Sequence, residues 1–286
     1  MNPADSARRT RLQIDPVPVR ALGVLFDDDL GVPEEGDPLP PLWHWAALSR
    51  WSRPRDGGPD GHLAAGGFLP DVGKPRRMFA GGVVEFGAPL IVGMSVTRDD
   101  RVLEVTPKRG RQGDFVLVRV ESLIYDHTGS LAVREVQDLV YRDGATPSAA
   151  LPRTSAGPAP LVARLLVERG DQWEFRTDPT LLFRFSSATA NAHRIHYDLD
   201  YARQAEGYPD LVVHGPLMSM ALARVAGAAG IGRPRRLRHR NLRPLFCGLP
   251  GVIHEEPVGT DPAEPGTRRW SLVADGQACV SIAVDP

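Results

Sequence analysis

Residues 185–215 gather side chains that could transfer protons, in the order FSSATANAHRIHYDLDYARQAEGYPDLVVHG. Three of the chain's eight histidines lie there: His193, His196 and His214. Histidine has an ordinary pKa close to neutrality, so it suits general acid–base catalysis. His193 and His196 are three positions apart and would share one face of a helical turn. The spacing indicates a candidate acid–base site, although each histidine could instead be a solvated or hydrogen-bonded structural residue.

The same stretch allows two other interpretations. Clustered His and Asp residues can bind a metal, but the spacing His-x-x-His-Tyr-Asp matches no familiar metalloenzyme motif, so we predict no metal site. His214-Gly215 stands directly before an apolar segment. There it either forms a tight turn into a helix or presents backbone N–H groups to a polarised carbonyl oxygen.

Two predicted helices hold this stretch in place. The first begins after Asp178, a favourable N-cap, and carries Leu181, Leu182 and Phe185 along one face. The second covers about residues 216–229 and is apolar on nearly all sides, so it should be buried against a closely packed sheet. Strands are expected afterwards, at residues 237–245, 251–256, 267–274 and 277–284.

The first half of the chain has the pattern of an antiparallel meander. Residues 41–51 contain aromatic and small residues after a Pro and predict a short helix. A turn is expected at Asp99-Asp100, and residues 1–40, rich in Pro, Gly and acidic residues, should run over the surface as an N-terminal extension. Strands are predicted at residues 78–86, 89–97, 101–108, 114–125 and 130–141.

Weak internal similarity divides the chain in two. Arg76-Arg77 and Arg235-Arg236 open comparable segments. Two copies of a helix-plus-antiparallel-sheet unit would explain the similarity, and so would chance recurrence of turn residues. The Pro-, Ala- and Ser-rich residues 147–160 predict a linker. It would join a first unit at residues 41–146 to a second unit at 161–286 that carries the candidate site.

Composition narrows the classes of function. A hydrophobic content of 42% and a net charge of −1 are typical of a globular protein and give no support for binding nucleic acid or a membrane surface. The N-terminus lacks the apolar run of a signal peptide, and no segment approaches membrane-spanning length. The two cysteines lack metal spacing and suit a reducing compartment. We therefore expect a cytoplasmic protein.

The motif at residues 189–198, TANAHRIHYD, with Val213-His214-Gly215-Pro216 before the long helix, resembles that of the MaoC-like hydratase/dehydratase group. Its form is similar to the branch that contains mesaconyl-C4-CoA hydratase. The resemblance is specific over residues 185–220 and looser over the rest of residues 40–286. It implies an α+β fold of the double-hotdog type, in which two antiparallel sheets each wrap around a central helix. The first unit would then be a degenerate hotdog, similar to a fatty-acid-synthase dehydratase domain.

The resemblance also implies roles for single residues. In the wider family, a His matching His196 and an Asp matching position 191 bind and activate water. This chain has Asn191, whose amide can orient water but cannot accept its proton. His193 occupies the family's usual Asn position. We expect His196 to be the main acid/base, with His193 assisting, Asn191 positioning water, and His214-Gly215 binding the thioester carbonyl, polarised by the Gly215 N–H.

The implied substrate is an acyl thioester of coenzyme A or of acyl carrier protein, with no further cofactor. Arg235, Arg238 and Arg240 belong to an Arg-rich strand that could meet the phosphates of coenzyme A, or could form a solvated face. The predicted activity is hydration of an enoyl thioester or dehydration of a 3-hydroxyacyl thioester, by a monomer or a homodimer. An acyl-CoA thioesterase and a non-catalytic acyl-thioester binding subunit are the alternatives.

Overall fold

A computed structural model describes residues 7–28, 31–110, 113–144, 161–257 and 266–286. Within them, eleven strands form one sheet in which neighbouring strands are antiparallel. The strands are β1 (Ala7–Gln13), β2 (Arg76–Phe86), β3 (Ser95–Gly110), β4 (Gly113–Tyr125), β5 (Leu131–Arg142), β6 (Leu166–Arg169), β7 (Gln172–Phe175), β8 (Arg236–Asn241), β9 (Gly251–Glu255), β10 (Arg268–Ala274) and β11 (Gln277–Asp285).

Helices pack against this sheet, which makes the fold α+β, as predicted. They are α1 (Pro16–Phe26), α2 (His44–Ala47), α3 (Pro179–Ala188), α4 (Leu199–Gln204), α5 (Gly215–Ala228) and 3-10 turns at Pro54–Asp56 and Arg194–His196. The Asp178 side chain accepts a hydrogen bond from the Leu181 N–H and so starts α3, as its sequence predicts. Helix α5 packs against β10 and β11, and its small residues allow the close approach that buries nearly every side of it. No helix in the described part of the chain has the length and apolar character that crossing a membrane requires.

Four strands in each half follow the same order outward from the junction of the halves, β2-β5-β4-β3 and β8-β11-β10-β9. The full order runs β1-β3-β4-β5-β2 through the first half of the chain and β8-β11-β10-β9-β7-β6 through the second. The halves meet where β2 pairs with β8, in a register that sets Gly82 opposite His239 and Glu85 opposite Arg236. The two Arg-Arg segments that resemble each other in sequence thus lead into the paired strands at this seam. The predicted linker at residues 147–160 lies outside the described residues.

The prediction that residues 1–40 run over the surface is wrong for Ala7 to Phe26. Strand β1 pairs along its whole length with β3. Helix α1 starts at an Asp15 cap and buries Leu22 and Phe26 completely. The prolines near the start of PVPVRALGVLF occupy the first helical turn, where a missing N–H costs nothing, so they begin the helix rather than break it.

Three other predictions in the first half need correction. Asp99-Asp100 is no turn but lies inside the long strand β3, where Arg9 and Arg8 donate hydrogen bonds to the two carboxylates. The strand predicted at residues 89–97 begins only at Ser95. The helix predicted at residues 41–51 is reduced to the single turn of α2. For Asp99-Asp100, the contacts with the distant Arg8 and Arg9 override the local pattern.

A buried carboxylate ties α2 to the sheet. Glu135 on β5 is only 2% exposed. Trp45 Nε1 donates to one of its oxygens at 2.7 Å, and His44 Nε2 lies 3.1 Å from the other. Gln137 Nε2 adds a third contact at 2.8 Å. Burial alone would raise the pKa of Glu135, but the hydrogen bonds and charge of these neighbours lower it to about 2.

Glu135→Gln should therefore lower the free energy of unfolding by about 3 kcal/mol at pH 7, because the buried partners lose the charge they face. Because the folded-state pKa is depressed, the contribution of Glu135 is complete above its unfolded pKa of about 4.3 and is lost as pH falls toward 2. Urea unfolding at pH 7, 5, 4 and 3 measures the difference between wild type and variant. The exposed Glu168→Gln is the control, and a difference independent of pH would contradict the assignment.

Candidate active site

His196 lies at the end of the 3-10 turn that follows α3. Its ring Nδ1 lies 2.7 Å from the carbonyl oxygen of Val212. Because a carbonyl oxygen can only accept a hydrogen bond, Nδ1 carries the proton. The ring is therefore held as the tautomer whose Nε2 has a free lone pair. Burial and the nearby His193 lower the pKa of His196 to about 3, so the ring is neutral at physiological pH.

Four imidazole rings form a row through the site. The ring centroids of His196 and His214 are 3.6 Å apart and the rings are stacked. His193 approaches His196 edge-on at 5.5 Å, and His62 lies 4.3 Å beyond His193. Burial and the neighbouring histidines lower the pKa of His214 well below its ordinary value. The row brings three histidines of the predicted motif together and adds one from the first half of the chain.

His214 and Gly215 stand at the N-terminus of α5, as predicted. His214 is the N-cap residue, fully buried, and its Nε2 forms a 2.8 Å hydrogen bond with the hydroxyl of Ser186 on α3. Gly215 opens the helix where unpaired N–H groups and the helix dipole favour negative charge. A Cβ on Gly215 would lie 2.8 Å from the amide nitrogen of Asn241, so glycine is the residue that fits against this side chain.

Asn191 has a structural contact that its position in the motif does not predict. Its Oδ1 accepts a 3.0 Å hydrogen bond from the backbone N–H of His193, two residues on. Such a side-chain-to-backbone bond fixes a local turn. The preceding Ala190 has φ +48°, in the left-handed region. Asn191 therefore holds the backbone that presents His193.

Sequence reasoning missed Glu206 as part of the site. This residue follows α4 and is 3% exposed. Its Oε2 accepts a 2.8 Å hydrogen bond from Arg76 Nε at the start of β2, and its Oε1 lies 3.5 Å from His193 Nε2, an ion-pair distance. Burial would raise the pKa of Glu206, but His193 and Arg76 hold it below its ordinary value. The carboxylate thus connects the motif to the first half of the chain.

A loop before β2 brings Asp60 and His62 to the same place, and sequence reasoning missed these two residues as well. Their surroundings, GGPDGHLA, have the composition of an ordinary turn, so no local signal marks them. One ligand atom each of Asp60, His62 and His193 lies within 4.8 Å of the others, a set that could hold a metal ion. The positive charge of Arg77, which contributes to lowering the pKa of His62, opposes a cation there.

The predicted coenzyme A contacts lie on another face of the sheet. Side chains alternate along β8, so His239 is buried whereas Arg238 and Arg240 point to the opposite side. Arg238 donates a 3.1 Å hydrogen bond to Asp285, and Arg240 is exposed. Arg235 precedes the strand and is exposed too. A phosphate contact by these residues stays a prediction.

Comparisons with known proteins identify the family of this chain. The family model of hydroxyacyl-thioester dehydratase type 2 matches residues 42–247, which contain both the loop before β2 and the histidine motif. The mesaconyl-C(4)-CoA hydratase of Chloroflexus aurantiacus is 40% identical over 226 residues, 79% of this chain and 73% of the relative. The mitochondrial hydroxyacyl-thioester dehydratase type 2 of Schizosaccharomyces pombe is 25% identical over 241 residues, 74% and 76% of the two chains.

Solved structures show the same fold at low sequence identity. A MaoC-like dehydratase from Phytophthora capsici superposes with a TM-score of 0.68 and 18% identity over 98% of this chain and 95% of the other. HtdX of Mycobacterium tuberculosis gives 0.63 and 16% over 98% and 99%. These neighbours and the large antiparallel sheet with few helices confirm the predicted hotdog fold. The chain belongs to the hydroxyacyl-thioester dehydratase type 2 family and is a hydro-lyase of acyl thioesters.

Proposed function

We propose that this chain hydrates enoyl-CoA thioesters and dehydrates the corresponding 3-hydroxyacyl-CoA thioesters, with His196 as the proton-transfer group at the α-carbon. The observation that carries the proposal is the fixed tautomer of His196, whose Nδ1–H is held by Val212. A neutral imidazole with a free Nε2 can take the α-proton in dehydration and return it in hydration. The chemistry uses proton transfer and carbonyl polarisation, so it needs no cofactor beyond coenzyme A as part of the substrate.

The start of α5 supplies the polarisation. Loss of the α-proton places negative charge on the thioester oxygen, and a backbone N–H aimed at that oxygen stabilises it more than it stabilises the neutral carbonyl. Gly215 provides this N–H at the positive end of the fourteen-residue helix. His214 is neutral and is hydrogen-bonded to Ser186, so the Gly215 N–H, rather than a charge on His214, stabilises the oxyanion.

We further propose that the protein is a double hotdog with units at residues 41–146 and 161–286, and that β1 and α1 complete the first unit. The strand order that the two halves share supports this reading. The substrate is proposed to be similar to mesaconyl-C4-CoA, on the strength of the identity to the Chloroflexus hydratase. A thioester of acyl carrier protein, a cytoplasmic location, and a monomeric or dimeric state stay predictions.

His196→Ala should abolish hydration, because no other group in the proposed mechanism exchanges the α-proton. We expect kcat to fall by about 10²–10⁴-fold, the usual range for removing a general acid/base. Loss of the conjugated-thioester absorbance of crotonyl-CoA, mesaconyl-CoA and a longer enoyl-CoA measures the rate. The exposed His127→Ala is the matched control and should leave turnover unchanged.

The same assay separates the alternatives. Release of free thiol while the double bond remains intact would indicate a thioesterase. Binding of every thioester without turnover would indicate a binding subunit. Full hydration by His196→Ala would overturn the assignment of this residue.

Asn191 variants test whether its turn-forming contact matters more than its amide group. Asn191→Asp keeps the oxygen that accepts the His193 N–H and should keep kcat within about threefold. Asn191→Ala loses that bond, worth about 1 kcal/mol, and should lower kcat about tenfold as His193 moves. Steady-state kinetics on crotonyl-CoA decide the point. Equal impairment of both variants would show that the amide itself contacts water or substrate.

A further inference from the structure

We infer that Asp60 and His62, on the loop that precedes β2, form the second proton-transfer couple of this active site and activate the water that adds to the β-carbon. The inference rests on the proposed function. It starts from a gap in the motif, since hydration needs a group that takes a proton from water, and Asn191 cannot accept one. Asp60 and His62 place a carboxylate and an imidazole beside His193 from outside the motif.

The couple has a defined geometry. Asp60 Oδ2 lies 3.0 Å from His62 Nδ1, and Asp60 Oδ1 accepts the backbone N–H of His62 at 3.0 Å. An ionised carboxylate can only accept, so Nδ1 carries the ring proton and Nε2 keeps its lone pair. Burial would raise the pKa of Asp60, but its contacts with His62 lower it to about 2, so the carboxylate is charged. It therefore stabilises the imidazolium that forms when Nε2 takes a proton.

The loop is fastened to the histidine motif itself. The Arg194 backbone N–H donates to the carbonyl of Asp60 at 2.9 Å, and Arg194 Nη1 donates to the carbonyl of Pro59 at 3.1 Å. Gly61 has φ +90°, and a Cβ there would lie 1.9 Å from the carbonyl oxygen of Ala192. Only glycine allows this approach of two backbones. The couple thus has a fixed position relative to the motif.

The couple is shielded but remains accessible. The side chains of His62 and Asp60 are 22% and 15% exposed, which leaves room for contact with water or substrate. The His62 ring lies 4.3 Å from that of His193, which in turn lies 5.5 Å from that of His196. Burial, with the charges of Arg77 and His193, lowers the pKa of His62 to about 4, so the ring starts neutral and can act as a base.

One proton then moves through the row during hydration. His62 Nε2 takes a proton from water as the water oxygen forms its bond to the β-carbon, and the π-electron pair moves to the α-carbon and the thioester oxygen. This proton passes from His62 by way of His193 to His196 Nε2, which carries none at the start, and the His196 imidazolium then gives it to the α-carbon. His62 and His196 begin and end neutral, in agreement with their low pKa values. Dehydration follows the same steps in reverse.

His62→Gln tests the role of the ring. Glutamine can still donate a hydrogen bond to Asp60 but cannot accept a proton. We expect kcat for hydration of crotonyl-CoA to fall about 10²-fold with little change in KM. Asp60→Asn, which removes the charge but can keep the turn, should lower kcat about tenfold. The exposed His127→Gln is the matched control, and circular dichroism with thermal unfolding verifies the fold of each variant.

Deuterium exchange gives a readout that a merely structural role would not change. In D₂O, deuterium can still reach His196 through His193, because exchange with solvent needs no base aimed at the β-carbon. His62→Gln should therefore still incorporate deuterium at the α-carbon of 3-hydroxybutyryl-CoA, while its dehydration falls. His196→Ala should lose both reactions. A folded His62→Gln variant with wild-type hydration, or one that loses exchange and dehydration equally, would overturn the role of His62.

The failure of this inference differs from the failure of the proposed function. If the wild-type protein hydrates no enoyl thioester, both the proposed function and this inference are wrong. If the wild type and His62→Gln are equally active, only the role of Asp60 and His62 is wrong. A bound metal is the remaining reading of this cluster. Stoichiometric zinc in the purified protein, with activity that EDTA removes and zinc restores, would make Asp60 and His62 ligands and overturn their proton-transfer role.

Discussion

The pairing of β2 with β8 is the interaction on which the site depends. It joins the two halves into one sheet, and two contacts between the halves near the motif start from β2. Arg76, the first residue of β2, reaches Glu206, and the carbonyl of Phe79 accepts from the Asn241 amide that packs against Gly215. Without the seam, Glu206 would lose its Arg76 partner, and Asn241 would lose the carbonyl that holds its amide beside Gly215.

The second constraint is electrostatic. The rings of His62, His196 and His214 can stay close together in one row because each is neutral, since burial and the neighbouring histidines depress their pKa values. A row of this kind tolerates one extra proton only if negative charge stands beside it. The carboxylates of Asp60 and Glu206 supply that charge, and both remain ionised.

Features that depend on local patterns could be predicted from the sequence. Residue types at fixed spacing predict three features that the structure has: the Asp178 cap of α3, the apolar helix α5, and the start of α5 at His214-Gly215. Features that depend on distant contacts could not. Strand β1 forms because it pairs with β3, which is distant in sequence. Asp99-Asp100 has the composition of a turn, but it lies in a strand where Arg8 and Arg9 pair with the two carboxylates.

The same distinction explains what was missed at the site. His62 lies more than a hundred residues before His196, in a turn-like loop whose proximity arises from tertiary contacts with Arg194 and Ala192. A motif search reports only the residues that remain together in sequence, so it describes the second half as complete and the first as degenerate. The geometry argues for a different division of labour. The first half contains no histidine motif like that of residues 189–198. Its loop nevertheless places Asp60 and His62 beside His193, where the motif has no group that accepts a proton from water. Both halves therefore contribute residues to one reaction.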